Sequence, residues 1–133
     1  MGILPRGETS DRTYTASGDL SDYQYRIVKL SAAETAAICG AGEKCQGVLK
    51  NAPEDGGQAS VVTRGEAKVY VDATTAILIG DRIMAAANGV GVKVPATAAT
   101  KSEYLGTAME AKASGTGTII VDIQPGVITT PAA

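Results

Sequence analysis

A chain of 133 residues fits one domain, which buries roughly 65–70% of its unfolded surface. It has no His, Trp or Phe, and its Val, Ile and Leu number 11, 10 and 6, a fifth of the chain, so the core is small and subunit association is its expected supplement. Twelve bases and fourteen acids leave a net charge of −2, too small for the self-repulsion that accompanies disorder, and they are spread evenly, without the clustered Lys and Arg that a nucleic acid partner requires.

Without histidine, acid–base or nucleophilic chemistry would fall to carboxylate, Lys, Tyr or Cys, and the residues suggest no catalytic site and no cofactor. Cys39 and Cys45, the only thiols, read as reduced side chains near a turn, and two sulfurs without imidazole make no zinc site. The opening Met-Gly-Ile-Leu-Pro-Arg lacks the apolar stretch of a signal peptide, and no run reaches the ~20 apolar residues of a membrane span. Synthesis in a cytoplasm, with no membrane partner, is the expectation.

In chain order, residues 1–22 are polar and broken by Gly2, Pro5, Gly7 and Gly18, which predicts an extended N-terminal arm. Tyr23, Tyr25 and Ile27 alternate with polar residues as one strand face. Ser31 and Glu34 stand at capping-box spacing before Ala36, Ala37 and Ile38, which predicts a two-turn helix ending near Gly40. Gln46–Lys50 reads as a strand. Ala59–Thr63 and Glu66–Val71 read as a hairpin turning at Arg64-Gly65, with Ala67, Val69 and Val71 on one face. Ala76–Ile79 reads as another strand, broken by Gly80-Asp81. Arg82–Ala86 and Val90–Val94 flank Asn88-Gly89, a two-residue hairpin signal. Residues 96–101 read as a loop or loose helix. Tyr104–Met109 and Thr118–Ile123 close the domain, and the tail from Gln124 shows no period. Short strands at intervals of about ten residues with glycine turns indicate a barrel or sandwich. The resulting division is an arm at 1–22, a Gly/Ala-rich β-barrel at 23–123 and a tail at 124–133.

Asp81 is the most conspicuous carboxylate, but Gly-Asp between apolar runs is ordinary turn chemistry. Gly89-Val90-Gly91 lacks the third glycine and the following helix of a dinucleotide fingerprint.

The order of segments is similar to a known family. Gly47-Val48-Leu49 with Asn51-Ala52-Pro53, then Ala67-Lys68-Val69, Ile79-Gly80-Asp81-Arg82-Ile83, Leu105-Gly106-Thr107-Ala108-Met109 and Ile119-Ile120-Val121-Asp122-Ile123 resemble the capsid cement or head decoration proteins of tailed bacteriophages. The resemblance covers roughly residues 25–123. It implies a mainly β, β-tulip-like barrel that assembles as a homotrimer on the outer surface of an expanded icosahedral head. There it would bind the major capsid protein and cement neighbouring subunits against the pressure of packaged DNA. It also implies an arm reaching onto capsid protein, with Ile3, Leu4, Tyr14 and Tyr23 as candidate capsid-binding residues. The alternative is a receptor- or glycan-binding surface module of a phage or bacterial structure.

Overall fold

A single 15-residue strand organises the molecule. The computed structural model describes residues 10–95 and 101–129, and in it β5 (Gln58–Asp72) lies in two separate systems of hydrogen-bonded strands. Its first half pairs with β1 (Ser10–Ala16) on one edge and β4 (Gly47–Leu49) on the other. Strand β4 continues to β2 (Ile27–Ala32), β2 to β3 (Thr35–Ile38), and β3 returns to β1 in parallel. The second half pairs with β9 (Thr116–Thr129), then through β8 (Lys101–Ala108), β6 (Arg82–Ala85) and β7 (Gly91–Lys93) back to β5. Two five-stranded rings of pairings thus share β5, the second being a small closed barrel. Closure removes the unpaired edges that invite aggregation.

Burial follows from three apolar doublets. Ile27, Val48 and Val62 join the larger core cluster, which also contains Val69, Val71, Ile83, Leu105, Val121 and Ile123. Their neighbours Val28, Leu49 and Val61 bury in a second cluster with Tyr14, Ala16, Leu20 and Ala36. Successive side chains on a strand point to opposite faces, so Ile27-Val28, Val48-Leu49 and Val61-Val62 lie between two cores. Each such residue contributes about 1.5–3 kcal/mol when fully buried.

Several expectations need correction. Residues 31–39 contain no helix: β2 and β3 form a hairpin whose turn is Ala33-Glu34, with Glu34 at φ 53°. That conformation is incompatible with a helical first turn, and a two-turn helix has little stability of its own, whereas the hairpin buries Val28 and Ala36. Arg64-Gly65 does not reverse the chain. A bulge at Thr63 and φ 96° at Gly65 redirect β5 from one ring to the other, although Ala67, Val69 and Val71 share the buried face as expected. Tyr23, Tyr25 and Ile27 do not share a strand face, because Tyr25 stands at φ 68° and Arg26 N–H bonds Tyr23 O in a turn. Ala76–Ile79 is not a strand either; only Ile77 bridges, to Lys112.

The arm and tail boundaries also move. Residues 10–16 form β1, whose Tyr14 and Ala16 are core, and Leu20 is buried behind them. At the other end β9 runs on to Thr129 against β8, with Gln124 and Pro125 in an irregularity of that pairing, a place where a proline's missing N–H costs no ladder bond. The loop expected at 96–101 falls largely outside the described residues, and Lys101 already belongs to β8. The Asn88-Gly89 hairpin is present as read. Asn88 and Gly89 have φ 61° and 69°, and β6 pairs antiparallel with β7.

Candidate docking surface

The two most exposed large apolar side chains among the described residues, Leu78 and Ile79, sit on a braced turn, ahead of Val127, Leu30 and Met109. Ile77 is fully buried and exchanges both backbone bonds with Lys112 at 2.9 Å. The chain then turns: Asp81 N–H donates to Leu78 O at 3.1 Å, and Gly80 takes φ 95°, the position of a tight turn that glycine fills without steric cost. Asp81 Oδ2 accepts from Leu78 N–H at 2.8 Å and pairs with Lys93 Nζ at 3.4 Å. Gly80 N–H donates to Ala108 O, and Ala108 N–H donates to Asp81 O, both at 2.8 Å. Asp81 is therefore a brace that spans β6, β7 and β8. At the tip, Leu78 and Ile79 are 59% and 69% exposed, and Met109, next to Ala108, is 40% exposed. Several rigid bonds hold apolar surface in water, where burying each side chain against a partner is worth on the order of 1.5–3 kcal/mol.

Sequence reasoning missed these three residues. The available signal was the unbroken run Ala76-Ile77-Leu78-Ile79: a half-buried strand has room inside for only every second residue, and a following Gly-Asp places the last pair on a turn.

The candidate anchors fall elsewhere. Ile3 and Leu4 lie outside the described residues. Tyr14 is 6% exposed, packs in its own core and accepts a hydrogen bond from Gln46 Nε2 at 2.9 Å. Tyr23 is half-buried against the same cluster, with the Arg26 guanidinium 5.3 Å from its ring centroid. Arg26 also lies 4.5 Å over Tyr70 and donates to Asn88 O at 3.1 Å. Lys68 Nζ is 5.9 Å over Tyr25, and Tyr70 N–H donates to Tyr25 O. Tyr23, Tyr25 and Tyr70 thus form a half-buried patch already engaged by two cations.

A solvent-open cleft of about 260 Å3 is lined by Arg12, Lys44 and Arg64 with Gln46, Thr63, Cys45 and Pro125. Among the described residues, no group of three or more His, Cys, Asp or Glu side chains converges as a metal site.

Two fused β rings thus carry a braced apolar turn on their surface. The chain belongs to the phage cement protein family, whose model matches residues 6–123. It is therefore a structural protein of phage capsids. Among solved structures it is similar to the N base of the head fiber gp8.5 of bacteriophage phi29. That match has a TM-score of 0.59 and 18% sequence identity over 88% of this chain and 95% of that one, a likeness of fold. The search of curated proteins found no match.

Proposed function

We propose that the protein docks on the outer surface of an expanded icosahedral head as a homotrimer and cements neighbouring major capsid subunits, working by binding rather than by turnover. The observation that carries this reading is the Leu78–Asp81 turn, which holds two large aliphatic side chains rigidly in solvent at a place where the fold does not need them. Family membership supplies the partner: an assembly whose subunits recur in a lattice. Weak contacts repeated across such a lattice accumulate avidity, and apolar tips of this kind serve as central anchors in protein interfaces. The trimer is supported by the scarcity of large aliphatics, since threefold association covers apolar surface that one copy leaves wet. Ile3 and Leu4 remain candidate second anchors.

The test is an electron-microscopy reconstruction of expanded empty heads incubated with the protein. Density for three copies at three-fold and quasi-three-fold positions, with the 78–81 turn against capsid protein, is the expected result; unoccupied heads at saturating protein would refute it.

The Tyr23, Tyr25 and Tyr70 patch favours a second reading as a glycan-binding module. It ranks lower because the Arg26 guanidinium covers a face of Tyr70 on which a sugar ring would stack. Binding on a glycan array that is lost in Tyr70→Ala would reverse the ranking.

A further inference from the structure

We propose that Cys39 and Cys45 are an oxidation site at which hydrogen peroxide closes an intramolecular disulfide. Both side chains are buried, at 0% and 3% exposure, and both are free thiols. Their sulfurs converge on one backbone atom, Cys39 Sγ lying 3.6 Å and Cys45 Sγ 3.8 Å from Glu43 O. Cys39 Sγ also lies 3.8 Å from Lys44 O, the carbonyl next to Cys45. The five residues between them fold back in a turn, with Glu43 N–H donating to Gly40 O at 3.2 Å and Gly42 at φ 73°. Gly40 and Gly42 in so short a loop let two sulfurs held at the same Glu43 carbonyl move to bonding distance.

Access and reactivity are both provided for. Cys45 lines the open cleft of about 260 Å3 beside Lys44 and Gln46; Cys39 is fully buried, so a small neutral oxidant reaches it from the cleft by local opening of the glycine-bearing 40–44 turn. The hydrogen bond from Cys45 lowers the Cys39 thiol below its ordinary range, while the same bond and burial push the Cys45 thiol up. The thiolate is the reactive form, so Cys39 is the attacking sulfur and Cys45 the resolving one. The Cys39 thiolate attacks one peroxide oxygen; an S–O bond forms, the O–O bond breaks, and hydroxide leaves and takes a proton to become water. Cys45 sulfur then attacks the Cys39 sulfenic acid; the S–S bond forms, the S–O bond breaks, and the second water leaves with the Cys45 proton. Two thiols are oxidised and one peroxide is reduced to two waters.

The bond would act where the two rings meet. Gly42 N–H donates to Ala85 O at 3.0 Å and Gly89 N–H to Cys39 O at 2.8 Å, so the 39–45 loop is tied to the β6–β7 hairpin of the barrel. A disulfide here closes the loop that these two backbone bonds hold to the barrel. The chemistry stands apart from the capsid reading; only its timing rests on that reading, since disulfides persist outside reducing cytoplasm and a released virion has left it.

The test treats the purified full chain with a small excess of hydrogen peroxide. Intact mass, thiol titration after denaturation, a non-reducing peptide map and thermal melting are then recorded. The expected result is a mass lower by two hydrogens, loss of both thiols together, a Cys39–Cys45 linked peptide, and a melting temperature higher by on the order of 5–15 °C. In Cys45→Ser the remaining Cys39 should stop at a sulfenic acid that dimedone traps, while Cys39→Ser should react more slowly. Two thiols still titratable, oxygen added to each without a link, or disulfides only between chains would each overturn the proposal. These wild-type readouts decide the matter even where a serine variant folds poorly.

Discussion

The Gly89 amide donates to the Cys39 carbonyl at 2.8 Å, which bonds the tip of the barrel's β6–β7 hairpin to the end of β3 in the neighbouring ring. Gly89 is buried at φ 69°, and a Cβ there would lie 2.5 Å from Ile27 O. Gly89→Ala should therefore destabilise by about 2–4 kcal/mol, from left-handed backbone strain and the clash. Asn88→Gly, at an exposed position with the same backbone region, should stay within about 1 kcal/mol. Urea unfolding midpoints compare the two; equal midpoints would mean that the hairpin tip does not hold the rings together.

Strand β1 is structural. Tyr14→Phe removes the acceptor of the Gln46 bond and should cost about 0.5–1.5 kcal/mol, while Tyr14→Ala, which empties a core position, should cost about 3–5 kcal/mol. Deleting residues 1–20 removes β1 and should unfold the first ring, whereas deleting 1–8 leaves β1 in place. Circular dichroism of the two truncations checks this, and a folded 1–20 deletion would contradict it.

Leu78→Ser with Ile79→Ser should leave stability within about 1 kcal/mol, because both side chains are largely exposed and their turn is held by backbone and Asp81 bonds. Asp81→Ala should instead loosen the turn and lower the melting temperature. A large loss of stability in the serine pair would place these side chains in the fold rather than in an interface.

The Glu43 carboxyl is held below its ordinary range, first by its bond from Lys29 and then by Gly40 N–H. A lowered folded-state value means that its contribution is present above the ordinary glutamate range and is lost as pH falls through the lowered value. Glu43→Gln should flatten the acid side of a stability-versus-pH curve and leave the neutral side nearly parallel. An unchanged acid limb would show that this exposed pair contributes nothing.

Much of the barrel was legible because its signals are local. Asn88-Gly89 demands two positive-φ residues and obtains them, and the alternation of Ala67, Val69 and Val71 marks a half-buried strand whatever its partner. The rest depends on distant residues. Arg64-Gly65 looks like a hairpin turn until β1 and β9, more than 40 residues away on either side, occupy the edges along which its halves would have paired. Ser31 and Glu34 satisfy a local capping pattern, yet the ring places β3 between β1 and β2, and burial of Ala36 outweighs a weak helix preference. Tyr14 looks like an interface anchor in a polar segment because Gln46, whose side chain bonds it, lies 32 residues along the chain, and Leu49, Ala59 and Val61 of its core cluster lie farther still. The docking turn was half visible: Gly80-Asp81 announced the turn and the unbroken run before it left one apolar residue too many for a half-buried strand, but the bridge that holds Ile77 inward comes from Lys112, 35 residues along the chain.

The central claim is tested most directly by co-sedimentation of the protein with expanded, DNA-free heads at increasing concentration, wild type beside the Leu78→Ser, Ile79→Ser pair. The account predicts saturable binding by the wild-type protein and at least a ten-fold weaker midpoint for the folded double variant, the equivalent of about 1.4 kcal/mol or more of lost contact. Equal binding by both proteins would move the docking face away from the turn, and no binding by either would contradict the cementing role itself.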